Sequence, residues 1–365
     1  QKITGSEIIT YHNNSPSSLR YLWIQLDQNV RQKDNLGSLT SGSGGIPANA
    51  KSLGTTQVQR ALGDTGFDGG FKLMAVKDTQ GNDLDYVINF TMMKINLPEP
   101  LASGESFSFN IDWWYNVNDR GLIGGRSGYE YFKEDDNYLY TIAQFYPRMA
   151  VYDDFNGWQN KQFIGSGEFA LTFGDFEVEI TVPSDHIVAS TGELQNPSDV
   201  LTSKEIQRFN KAKESFDKPV IIVTEKEARA KEKKRASDKS TWVYHAENVR
   251  DFAFASSRKF IWDAKGVKVG GKTVMAMSYY PKEGNPLWEK YSTEVVAHTI
   301  EVYSKFTVDY PYPVAISVHA AQIGMEYPMI CFNGGRPNKD GTYSDRTKHG
   351  MISVIIHEVG HNFFP

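Results

Sequence analysis

The sequence predicts a mainly β N-terminal region of antiparallel sheet followed by the start of an α+β region, and three observations lead there. From about residue 8 to residue 188, short runs rich in β-branched and aromatic residues alternate with turn clusters, the pattern of an antiparallel sandwich or curved sheet. After the turn PKEGNP at 281–286 the apolar spacing lengthens to three and four residues, which is helical. Residues 355–365, IIHEVGHNFFP, then set His357 and His361 four apart with Glu358 between them.

With 365 residues and 41.1 kDa, the chain has room for two or more domains and for a core that needs no staples. Cys331 is the only cysteine, which rules out a disulfide within one chain. A net charge of −5 and a pI near 6.0 supply no basic field for nucleic acid, and no nucleic-acid motif is present. No apolar run reaches the roughly eighteen residues of a transmembrane helix. The first residue is Gln1, as in a processed precursor or a trimmed chain.

Taken in order, the runs at 21–26, 71–76, 86–95, 106–115, 169–173 and 176–182 read as strands. Period two is clearest in Phe107, Phe109 and Ile111 and in Phe176, Val178 and Ile180. Residues 37–55, GSLTSGSGGIPANAKSLGT, read as a mobile loop. The aromatic density at 119–158 reads as architecture, with a saccharide or peptide platform as the alternative. Between positions 204 and 239 twelve Lys or Arg interleave with seven Asp or Glu, so a charged helical or loop insertion over about 196–240 is expected, solvated rather than anion-binding. Residues 273–280 read as a strand. These elements form an N-terminal domain over 1–282, and a second domain is expected over 283–365. There, Leu287, Tyr291, Val295, Val302 and Phe306 fall at helical spacing and Pro311 and Pro313 end the helix. Short strands follow at 315–318 and 324–332, then a polar loop at 333–348.

At helical spacing His357 and His361 project from one face about a turn apart. Two neutral imidazoles and a third protein ligand would hold one Zn²⁺ with a position left for water, and Glu358, beside that water but off the metal, could accept its proton. The plainer reading is a buried helix with two satisfied histidines. Val354, Ile355 and Ile356 are β-branched and would suit a strand, but Ile352, Ile355, Ile356, Val359 and Phe363 keep a helical stripe. Gly360 is costly inside a helix, so close packing against its backbone is expected.

A second group, Gly324, Met325, Glu326, Tyr327 and Pro328, lies before this helix in an apolar strand where a Glu is out of place. A carboxylate near a partly buried site needs a cation, and the α-ammonium of a substrate would serve; the alternative is a Glu on the exposed side of an edge strand.

GMEYP followed by HEVGHNFF resembles the GxMEN-type exopeptidase motif and HExxH zinc helix of the aminopeptidase N family of gluzincin metallopeptidases, in a branch with Tyr where GxMEN has Asn. The stretches YHNNSPSSLRYLWIQLDQN at 11–29, QFYPRMAVYDD at 144–154 and VRDFAFASSRKF at 249–260 agree. The resemblance implies a saddle-like β domain to about residue 282 and then the first part of a thermolysin-like catalytic domain. It implies His357 and His361 as zinc ligands, Glu358 as general base, and Glu326 holding the substrate amino terminus. The backbone of Gly324, Met325 and Glu326 would pair with the peptide as an added strand. The third ligand, a Glu, and the oxyanion-stabilising Tyr of the family are expected beyond Pro365. A zinc aminopeptidase acting on peptides with a free N-terminus is therefore expected, with residues 1–365 alone inactive and Val359, Phe363 and Phe364 left uncovered. The alternatives are a zinc endopeptidase and an inactive peptide-binding or assembly module. A periplasmic or secreted location is expected, with the cytoplasm as the alternative.

Overall fold

The computed structural model describes residues 1–40, 51, 52, 54, 55, 58, 66–165, 167, 169–321 and 323–364. The predicted loop at 37–55 lies mostly outside them; its first residues belong to the short helix Leu36–Thr40. The structure is mainly β, and its contacts divide it into two units, Gln1–Gly128 with Gln144–Thr172 and Tyr129–Ala143 with Phe173–Pro365.

In the first unit Lys2–His12, Ser106–Asn116 and Lys72–Asp78 form an antiparallel sheet in that order. The alternation of the middle strand explains its placement, since Phe109, Ile111, Trp113 and Tyr115 are buried and the residues between them are half-buried. The second sheet runs Tyr86–Asn89, Met92–Leu101, Leu19–Gln25 and Arg148–Met149. The predicted strand 86–95 is thus two strands, separated at Phe90, which turns the chain with φ of 50°. Arg148 is buried against Asp27 in an ion pair. Residues 169–173 form no strand; Phe169 is held instead by its ring against Phe163, at 6.3 Å between centroids.

The second unit carries the candidate site on a six-stranded sheet. Its strands are β1 (Val220–Val223), β2 (Ile261–Val269), β3 (Lys272–Tyr280), β4 (Val314–His319), β5 (Gly324–Tyr327) and β6 (Ile330–Asn333), in the order β1-β2-β3-β4-β6-β5. Between β2 and β3 stand Gly270 and Gly271, with φ of 54° and 78°; a two-residue hairpin loop whose twist matches the strands needs positive φ at both positions, and glycine supplies it without strain. β3 and β4 are parallel, so a crossover must join them, and helix α1 (Leu287–Phe306) provides it. The turn at 281–286 lies between β3 and α1, inside this unit, with β3 paired to β4 across it.

The charged segment at 204–239 folds as helices Ser203–Lys213 and Glu225–Lys234 around β1. Each helix opens with a capping box, Thr202 with Glu205 and Thr224 with Glu227. Several of its charges are inside: Glu205 and Glu232 are buried, and Lys231 reaches Glu205 at 3.0 Å.

The predicted strand 324–332 is a hairpin, because Pro328 and Met329 turn the chain between β5 and β6. Helix α2 (Asp345–Gly360) then runs against the sheet, capped by Ser344, whose hydroxyl accepts from the Thr347 amide at 3.1 Å. Met351, Ile355, Val359 and Phe363 join Val296, Ala297 and Ile300 of α1 in one cluster. Burial on this face outweighs the weak helix propensity of residues 354–356.

Candidate metal centre

Helix α2 brings His357, Glu358 and His361 together, with the potential ligand atoms of the three residues all within 4.8 Å of one another. It is the only such group among the described residues. His357 is exposed, His361 half-buried at the helix C-cap, and Glu358 buried at 5% exposure. The two Nε2 atoms face each other at 3.3 Å. In a tetrahedral zinc site with Zn–N of about 2.0–2.1 Å, two ligand nitrogens stand about 3.3–3.4 Å apart, so the pair fits the metal. Nδ1 of His361 lies 3.1 Å from the Phe364 carbonyl. A carbonyl only accepts, so Nδ1 carries the proton and Nε2 keeps its lone pair for a cation.

Two glycines make the site compact. A β-carbon on Gly324 would stand 2.4 Å from Oε1 of Glu358 and 2.7 Å from Cγ2 of Val354, so β5 lies directly against the carboxylate of α2. A β-carbon on Gly360 would meet the Tyr303 hydroxyl at 3.3 Å. The close packing expected at Gly360 is therefore supplied by α1.

Glu326 is half-buried on β5, the edge strand, directly opposite Cys331 of β6, whereas Met325 is buried. Opposed residues on antiparallel neighbours project from one face, and Cys331 packs in the cluster that includes α2. Burial pushes the Cys331 thiol up; Asn333 donates to it and opposes the shift, while the carboxylates of Glu358 and Glu326 add to it. Both acids thus act on the same thiol.

The expectation that Val359, Phe363 and Phe364 stay uncovered is corrected for two of them. Val359 and Phe363 are 1% and 9% exposed within the core cluster, where Tyr303 and Tyr310 pack tilted and edge-on against the Phe363 ring with centroids at 5.4 and 5.3 Å. Phe364 is 57% exposed. A residue that the sequence reading passed over is Asn362, which accepts the Met329 amide at 2.7 Å; its place immediately after His361 is the one signal that could have found it.

The chain is similar along 99% of its length to a solved M1 zinc metallopeptidase from Deinococcus radiodurans, at 13% identity and a TM-score of 0.53, and covers 60% of that chain. A mutant of the Deinococcus radiodurans enzyme bound to a Tyr-Ser-Ala substrate matches 98% of the chain at 14% identity and a TM-score of 0.50, with 60% of its own length covered. A two-domain M1 zinc metallopeptidase mutant bound to L-arginine matches 97% at 13% identity and a TM-score of 0.52, with 59% covered. The chain therefore spans about three fifths of these structures and shares their fold. No protein-family model and no curated protein matches it. Among the described residues no helix is long and apolar enough to cross a membrane.

Proposed function

We propose that the protein is a zinc-dependent aminopeptidase that removes residues from the free N-terminus of peptides. The observation that supports this best is the 3.3 Å approach of the His357 and His361 Nε2 atoms beside buried Glu358. The similar structures include one with a tripeptide substrate and one with an amino acid, which suits the substrate class.

In this reading His357 and His361 hold the metal, with a Glu beyond Pro365 as third ligand. Zinc, when bound, supplies Lewis-acid polarisation of the scissile carbonyl and acidifies water. Glu358 accepts the proton of the attacking water and returns it to the departing amine. β5 is the edge strand of its sheet, the position at which an extended peptide adds as a further strand, and Glu326 pairs with the terminal ammonium.

The test uses the zinc-loaded native protein with a free and an N-acetylated peptide of one sequence. Rapid cleavage of the free peptide alone, loss of that preference with a raised KM in Glu326→Ala, and loss of turnover with zinc retained in Glu358→Gln are expected. Equal cleavage of both peptides would instead make the protein an endopeptidase. Substoichiometric zinc and no chelator-sensitive hydrolysis would make it a binding module.

A further inference from the structure

The hairpin that carries Glu326 contains a conformation that its own sequence does not favour. Pro328 and Met329 form the two-residue loop between paired Tyr327 and Ile330. Proline fixes φ near −65°, while Met329 has φ of 67°. That combination is a type II turn, which requires positive φ at its second central residue, a position for glycine or asparagine. Type II also splays a two-residue hairpin against the twist of its strands. Met329 nevertheless adopts it, buried at 1% exposure.

What holds the turn comes from outside the hairpin. The peptide group between Pro328 and Met329 is gripped at both ends. Its carbonyl accepts from the Thr191 hydroxyl at 2.9 Å, and its N–H donates to Oδ1 of Asn362 at 2.7 Å. Thr191 is itself oriented, because its oxygen accepts from the Ala253 amide at 3.1 Å and it is fully buried. Asn362 is oriented by the same logic, with Nδ2 donating to the Val359 carbonyl at 3.4 Å. A flip of this peptide to type I would reverse both groups and break both bonds.

We propose that Asn362 is a positioning residue that couples the end of the histidine helix to the substrate strand. Its side chain joins the residue after His361 to the turn two residues after Glu326, and Thr191 holds the other side of the same peptide. The inference rests on the aminopeptidase reading for its catalytic consequence and on hydrogen bonding alone for its structural part.

Two arms test these parts separately. In the 365-residue chain, hydrogen exchange over residues 327–333 should quicken about tenfold or more in Asn362→Leu, which lacks the acceptor, and stay near wild type in Asn362→Asp, which keeps it. Thr191→Val should loosen the same segment. In the zinc-loaded native protein, Asn362→Leu should raise KM for free-terminus peptides about tenfold, with kcat moving less, zinc content unchanged and Asp restoring KM. Unchanged exchange in Asn362→Leu overturns the proposal, whatever Thr191→Val does. Faster exchange with unchanged KM overturns the coupling to substrate. If Asn362→Leu fails to fold, Thr191→Val carries both arms. If the wild-type protein cleaves no peptide, the aminopeptidase reading fails and the exchange arm alone decides whether Asn362 pins the turn.

Discussion

Gly324 and Glu358 are so close that a methyl group on the glycine would stand 2.4 Å from the carboxylate oxygen. β5 and the proposed base therefore share one packing contact. Gly324→Ala should push Glu358 aside, since the carboxylate yields more easily than the Val354 methyl 2.7 Å away. Turnover should fall about 100-fold from misplacement of the base, with a stability loss of about 1–3 kcal/mol from overpacking. Steady-state kinetics and urea unfolding of the purified variant check both.

Residues 1–365 expressed alone should bind zinc weakly and show no aminopeptidase turnover. Among the described residues only the two histidines and Glu358 are grouped for a metal, and a catalytic site with its open position keeps three protein ligands. Titration calorimetry with zinc and an aminoacyl reporter assay test this. Turnover that vanishes in Glu358→Gln would mean that the remaining ligand is supplied within the chain or by a partner.

The contribution of Asp263 should make the protein less stable as the pH rises from 4 to 8, against the opposite contribution of buried His186, whose pKa is lowered to about 4. Burial raises the Asp263 pKa from the ordinary carboxylate range to about 7, against the hydrogen bonds from Thr293 and Tyr280 that favour the charged form. The folded pKa lies above the unfolded one, so the stabilisation is complete below about pH 4 and is lost as pH rises through about 7. The span is on the order of 4 kcal/mol. Asp263→Asn keeps one oxygen as an acceptor and reverses the other bond, with Nδ2 donating to the second hydroxyl oxygen; because it does not titrate, its stability relative to wild type should rise between pH 5 and pH 8, as measured by urea midpoints. A difference between the wild-type and Asp263→Asn midpoints that is the same at both pH values would rule this out.

Lys259→Met should destabilise the second unit by about 3–5 kcal/mol. The ammonium is fully buried, bonded to Asp135, to Glu232 at 2.9 Å and to Glu283 at 3.1 Å, and lies 4.5 Å from the Phe132 ring centroid. Removing it strands carboxylates that Lys282 satisfies only in part. Chemical denaturation of the variant gives the figure; a loss under about 1 kcal/mol would show that the acids relax into solvent.

Elements with a strong period were legible in the sequence. Helix α1, strand Ser106–Asn116, β3 and the helix bearing His357 and His361 form close to where the apolar spacing puts them. The breaks at Phe90 and at Pro328 and Met329 were not, because a left-handed Phe or Met carries no residue signal; surrounding contacts impose it. Residues 169–173 alternate like a strand but lack a neighbour to pair with, and pairing is a property of the whole sheet. Glycines 324 and 360 were visible as residues, while the groups packed against them, Glu358 and Tyr303, come from tertiary structure. Cover for Phe363 by Tyr303 and Tyr310 was hidden for the same reason.

The pairing of Lys2–His12 with Ser106–Asn116 has a bearing on how the chain is made. Side-chain bonds across this ladder join residues 94 to 106 positions apart, as in His12 with Ser106, Thr10 with Ser108 and Ser6 with Asp112. At about 5–20 residues per second of synthesis, the earlier strand waits about 5–20 s for its partner, with Ile8 and its neighbours unpaired in the meantime. The hairpin of β2 and β3 closes as soon as Gly270 and Gly271 have been passed. Assembly on the ribosome is thus expected to be delayed in the first unit and prompt in the second, and the nascent first unit is where a chaperone would find an open strand.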